Sequence, residues 1–162
     1  MLNPVKIKIE GAPARIVSIK KHPSTDLGER KIKTSQEFLI EKKDYDSLKE
    51  GEIYRLIDCL NFIKTGNGFK FHSLDYREFP KGSLNMHWLP DSENNIKIKI
   101  LMPDGQFSSC LAEESISELK EGDIVQFQRF GFARLDSATE TTQEKKTNKA
   151  ERESYLFVFA HN

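Results

Sequence analysis

Apolar and polar positions alternate with a period of two along most of the chain. Residues 5–11 (VKIKIEG) set Val5, Ile7 and Ile9 against Lys6, Lys8 and Glu10. Residues 95–102 (NIKIKILM) repeat the device with Ile96, Ile98 and Ile100 against Lys97 and Lys99. Such alternation marks strands with one dry and one wet face. It predicts further strands over 14–19, 37–42, 52–64, 68–74, 83–89, 123–130, 132–136 and 155–161. Turn residues separate them: GAP at 11–13, TGNG at 65–68, PDSENN at 90–95 and PDG at 103–105. Only 43–51 and 113–122 read as helical, one or two turns each, closed by glycine. Many short strands with close-spaced turns predict a β-barrel or sandwich.

The pattern also echoes itself. SLKEGEIYRL at 47–56 matches ELKEGDIVQF at 118–127, an offset of 71, and the two KIKI strands match at an offset of 91. Two echoes in one order predict a duplicated small barrel, with units over 1–80 and 81–162. Residues 137–154 (SATETTQEKKTNKAERES) hold alanine as their sole apolar type and no aromatic, so a flexible solvated loop is expected there. The apolar YLFVFAH that follows is expected to close a sheet already built, the sheet of the first barrel being one candidate.

Composition refines this picture. The 162 residues carry 25 Lys+Arg against 25 Asp+Glu, which argues against an indiscriminate polyanion binder. The balance hides a polarity. Residues 1–40 hold eight basic and four acidic residues, whereas 101–136 hold three and seven. Eleven Phe leave enough apolar volume for a core. No apolar run is long enough for a membrane helix, and the N-terminus lacks the apolar stretch of a signal peptide. Two cysteines, Cys59 and Cys110, make neither a disulfide framework nor a zinc site. The expectation is a cytoplasmic protein with reduced thiols.

Catalytic constellations are hard to find. His22, His72, His87 and His161 do not pair with metal ligands at a recognised spacing, and no phosphate-binding or nucleophile motif occurs. Binding chemistry fits better. KKHPSTDLGERKIK at 20–33 reads as a cationic loop in which Pro23 and Gly28 stiffen the backbone and present Arg30 to an exposed base edge. In VQFQRFGF, strand alternation puts Gln126 and Gln128 on one face and Arg129 on the other with Phe127. A glutamine offers donor and acceptor together, as base recognition requires. Phe130 and Phe132 fit either base stacking or, more commonly at this spacing, a core.

The residues also carry a family resemblance. HPSTDLGERKIKTSQEFLIEKKDY at 22–45 resembles the start of the anticodon-binding region of class I glutamyl- and glutaminyl-tRNA synthetases. LKEGEIYRLIDCLNF at 48–62 continues it, MHWLP at 86–90 is similar to the family's His-Trp element, and IKIKILMPDGQF at 96–107 to the strand after it. EGDIVQFQRFGFARLD at 121–136 is similar to the Gln-Phe-x-Arg-x-Gly-aromatic signature, and YLFVFAHN to the close of the archaeal glutamyl type. The resemblance implies an all-β fold of two adjacent six-stranded, ribosomal-L25-like β-barrels with short helical turns. It implies recognition of the tRNA(Glu) anticodon loop alongside the catalytic domain of the same synthetase. That domain would use ATP and Mg2+; this chain has nothing like its catalytic signatures and would itself hold no cofactor. By resemblance Arg30 and Gln126 read the middle anticodon base, Arg129 contacts phosphate or makes a structural ion pair, and Lys81 and Arg77 line the anticodon side. Alternatives are the glutaminyl branch, an L25-like rRNA-binding barrel, a protein-interaction barrel and a stand-alone enzyme.

Overall fold

The computed structural model describes residues 1–20, 28–139 and 154–161. The chain divides into two compact units, with the boundary between Ser92 and Glu93. The first holds β1 (Pro4–Glu10), β2 (Arg15–Lys20), β3 (Glu29–Thr34), β4 (Glu37–Glu41), α1 (Lys42–Ser47), β5 (Ile53–Leu56), β6 (Leu60–Thr65), β7 (Gly68–Ser73), β8 (Asn85–Met86) and β9 (Trp88–Pro90). The second holds β10 (Ile96–Leu101), β11 (Phe107–Ala112), a 3-10 helix (Glu114–Glu118), β12 (Ile124–Phe127), β13 (Gly131–Thr139) and β14 (Ser154–His161).

The period-two stretches form strands because one face of each finds a core. In β1, Ile7 and Ile9 are buried while Lys6, Lys8 and Glu10 are exposed. In β10, Ile98 and Ile100 are buried between exposed lysines. The single strand expected over 52–64 is two. Asp58 takes a left-handed φ of 55° and the Cys59 amide bonds back to the Leu56 carbonyl at 3.0 Å, so β5 and β6 fold into a hairpin. Two strands, β3 and β11, arise where no strand was expected.

The echo is a repeat of topology. The first unit's large sheet runs β8-β5-β6-β7-β1-β4-β9, and the second unit's sheet, read from its β12 edge, runs β12-β13-β14-β10-β11. The order β5-β6-β7-β1-β4 therefore recurs strand for strand. In both units the KIKI strand lies antiparallel to one neighbour and parallel to the other: β1 between β4 and β7, β10 between β11 and β14. The LKEG turns share three backbone hydrogen bonds. Leu48 donates to Tyr45 and Leu119 to Ile116; Glu52 donates to Lys49 and Asp123 to Lys120. Gly51 donates to Lys64 on β6 and Gly122 to Leu135 on β13, each at 2.8 Å.

The units differ where β1 joins β4. In the second unit the matching connection is the tight 102–106 turn, closed by Met102 donating to Gln106 at 2.8 Å. In the first unit the connection carries the separate β2–β3 ribbon. Among the described residues the sheets have seven, five and two strands, and no ladder pairs its two edge strands. The all-β expectation holds, but among the described residues the two units do not form the expected six-stranded barrels: their strand counts differ and neither sheet closes. β14 pairs with β10 and β13, not with a strand of the first unit, and β13 continues through Thr139, inside the expected loop. The remainder of that loop, and His22 and Pro23, lie outside the described residues.

Each unit has its own core. Phe38, Ile40, Leu56, Leu60, Phe62 and Met86 are fully buried in the first, with Trp88 edge-on to Phe38 at 5.5 Å. Ile98, Ile100, Leu135 and Phe157 anchor the second, where Phe127 packs on Phe157 at 5.2 Å and Phe130 on Phe159 at 5.8 Å. Phe130 is therefore a core residue.

Candidate nucleic-acid interface

Arg30 lies on β3 and not in a loop. Gly28, at φ +81°, turns the chain into the strand, and Arg30 then pairs in register with Ile19. Directly paired antiparallel residues share a face. Arg30 is half-buried on the side of the ribbon that also buries Val17 and Ile19. The opposite face is wet and cationic. Lys20, Lys31 and Lys33 are exposed there, Ile16 is 58% exposed opposite Lys33, and the Ser18 hydroxyl donates to Glu29.

Arg77 and Lys81 share the segment between β7 and β8. The Asp75 carboxylate caps a 3-10 helix (Tyr76–Glu78) by accepting from the Arg77 amide at 2.9 Å. The same carboxylate holds the Arg77 guanidinium through Nε at 3.0 Å and Nη2 at 2.7 Å. That charge holds the Asp75 carboxyl down to about 2 and raises the Arg77 pKa. Arg77 is thus an exposed cation already engaged by a neighbouring anion. Lys81 stands exposed beside Gly82 at the following turn.

A buried polar network fixes this segment. Arg55, 7% exposed, donates to the fully buried Asn61 carbonyl oxygen at 2.8 Å. The Asn61 amide donates to Ser73 Oγ at 2.9 Å and to the Asp75 backbone carbonyl at 2.7 Å. The Arg55 guanidinium also lies 5.2 Å from the centre of the Tyr76 ring, which is 65% exposed. A buried guanidinium is costly unless hydrogen-bonded, and here its partners are the groups that hold the segment's start.

Gln126 is exposed on β12, directly opposite Phe132. The expected pairing of Gln126 with Gln128 on one strand face does not form, because β12 ends at Phe127. Gln128 and Arg129 lie in the turn, where Arg129 takes a left-handed φ of 61° and is exposed at the hairpin tip. On the inner side Val125 and Phe127 pack on the core; on the outer side Gln126 faces solvent.

His161 joins that outer rung, which the sequence did not reveal. Counting by twos from the buried Tyr155 and Phe157 puts it on the core face. Between Phe159, which pairs with Ala133, and His161, which pairs with Phe132, the register shifts by one residue. Such a bulge re-aims the side chain beyond it. The Phe132 and His161 rings stack at 4.7 Å with 32° between their planes. Arg30, Arg77 and Lys81 belong to the first unit; Gln126 and Arg129 share one hairpin of the second.

Other features hold less chemistry. A cleft of about 730 Å3 in the first unit, lined by Lys6, Lys8, Gln36, Tyr45, Asn67 and Phe69, includes none of the predicted site residues. Among the described residues no group of three His, Cys, Asp or Glu is placed to hold a metal ion. Cys59 and Cys110 are free and buried, and burial pushes the Cys59 thiol up to about 12. Among the described residues no helix is long and apolar enough to cross a membrane.

An exposed amide and exposed cations carried on a duplicated β framework are the chemistry with which a β module can hold a nucleic acid. Residues 1–74 and 85–136 match two models that are each described as tRNA synthetases class I (E and Q), anti-codon binding domain, and the chain belongs to that family. It is similar to the glutamate–tRNA ligase of Methanocaldococcus jannaschii, with 30% identity over 98% of this chain and 27% of that protein. It is similar to that of Methanothermobacter thermautotrophicus, with 36% identity over 84% of this chain and 24% of the relative. The Pyrococcus abyssi protein of the same name is 31% identical over 98% of this chain and 27% of its own length. The chain spans about a quarter of the length of these curated relatives.

Proposed function

We propose that this chain reads the anticodon loop of tRNA(Glu) for a cytoplasmic glutamate–tRNA ligase whose catalytic part, with its ATP and Mg2+, lies outside these residues. The observation that carries the reading is the match of nearly the whole chain to about a quarter of relatives named glutamate–tRNA ligase. On this reading the five-strand order common to both units is the L25-like barrel framework of the family.

Anticodon-loop bases are single-stranded and can be splayed from their stack. The middle base of a glutamate anticodon is uracil, with two carbonyl acceptors and one N–H donor. Arg30 donates to the carbonyl oxygens, and Gln126, holding donor and acceptor on one exposed amide, complements the remaining edge. The β2–β3 ribbon that carries Arg30 lies outside the repeated order, so it is the first unit's own addition to a shared framework. Lys81 supplies phosphate contact near the segment fixed by Asn61. Arg129 contacts phosphate from the hairpin tip. Arg77, held by Asp75, contributes geometry more than free charge.

The test is a titration of the chain against a stem-loop bearing the glutamate anticodon and against one with the middle base changed. Wild-type chain should prefer the first, and Arg30→Ala or Gln126→Ala should each remove roughly 1–3 kcal/mol of that preference. Equal affinity of the wild-type chain for both loops would overturn the reading.

A further inference from the structure

We infer that the outer corner of β12, β13 and β14 is a nucleobase-stacking shelf, in which Phe132 and His161 hold a splayed base beside the one Gln126 reads. The inference deepens the proposed anticodon reading and rests on it.

The first observation is the bulge. An uninterrupted β14 would send His161 to the core side with Tyr155, Phe157 and Phe159. The one-residue shift after Phe159 instead delivers it to the outer rung with Phe132. The second is the stack itself. Two aromatic rings 4.7 Å apart and tilted by 32° stand on the wet side of the sheet, with His161 exposed and Phe132 half-buried. The core side at this point is already filled by Phe127, Phe130, Phe157 and Phe159. The outer pair lies on the opposite side of the sheet from that cluster. The third is its company. Gln126 is the cross-strand partner of Phe132, and Arg129 stands exposed at the tip of the same hairpin. An amide with donor and acceptor, a π-face and a cation are the groups by which proteins hold unstacked bases. A protein partner covering the same face would be served by the rings but has no need of the amide and cation around them. The occupant these groups fit is therefore single-stranded RNA.

The experiment uses the whole chain and the glutamate-anticodon stem-loop, with 2-aminopurine replacing the base on either side of the middle uracil. Stacking on the shelf should quench the fluorophore at one of the two positions. His161→Ala changes an exposed side chain at the end of a strand. Phe132→Leu keeps the apolar contact and removes the π-face. Each should weaken binding roughly 5- to 100-fold and relieve the quenching, with thermal melting near wild type. Folded variants that bind and quench like wild type, while the wild-type chain still discriminates the middle base, would overturn the shelf and leave the anticodon reading standing. A wild-type chain that binds no stem-loop would overturn both.

Discussion

At the scale of single residues, the surface around the site is set by pairs in which one charge limits another. Asp75 illustrates this. Its carboxylate serves the 3-10 helix and the Arg77 guanidinium together, and its pKa is held at about 2. A carboxyl depressed in the folded state contributes stability above its ordinary value near 4, and loses that contribution as pH falls toward 2. A carboxyl-resonance titration should place Asp75 at the acid end of the carboxylates, and Arg77→Ala should return it toward the ordinary range. An Asp75 titration near 4 in the wild-type chain would contradict the pair. Arg129 behaves differently, since its left-handed backbone is a conformation that glycine adopts freely. Arg129→Gly is expected to leave stability within about 1 kcal/mol of wild type, or raise it. It should also weaken stem-loop binding. A large fall in melting temperature with unchanged binding would assign Arg129 to structure instead.

At the scale of elements, the two LKEG turns are the clearest link between sequence and structure. Each ends in a glycine with positive φ, +79° at Gly51 and +93° at Gly122, and each glycine amide donates to the partner strand at 2.8 Å. No atom lies within 4 Å of a Cβ added at either position, so a substitution meets backbone strain and not a clash. Gly51→Ala and Gly122→Ala should each cost roughly 1–2 kcal/mol in denaturant unfolding, by the same cause. A cost at one turn and none at the other would undo their equivalence. The missed strands have physical reasons. In β3, ERKIKT, every second residue is charged and Arg30 stands where an apolar residue would signal the inner face. In β11, FSSCLA, two serines blur the alternation. Both become strands because a neighbouring strand offers a ladder, β2 to one and β10 to the other.

At the scale of the whole molecule, zero net charge is compatible with RNA binding if the cations are grouped. The exposed face of the β2–β3 ribbon groups Lys20, Lys31 and Lys33. For single strands each phosphate contact adds about 0.7 to the slope of log affinity against log salt. A Lys31→Ala, Lys33→Ala double variant should therefore flatten that slope by roughly 1.4 without changing the preference for the middle base. An unchanged slope would take the ribbon's outer face off the RNA path.

The sequence by itself determined the all-β class, most of the strands, the duplication and the family, because period-two alternation, turn glycines and an ordered motif set are local properties of the chain. It also singled out Arg30 and Gln126, although it set Arg30 in a loop. Tertiary structure decided what depends on pairing between distant segments. The Ile19 register puts Arg30 on a strand face, Asp75 engages Arg77, and a buried Arg55–Asn61 pair fixes the segment leading to Lys81. One residue of bulge moves His161 across a sheet to meet Phe132. A period of two names faces only while the register holds, and the register is set by the neighbouring strand.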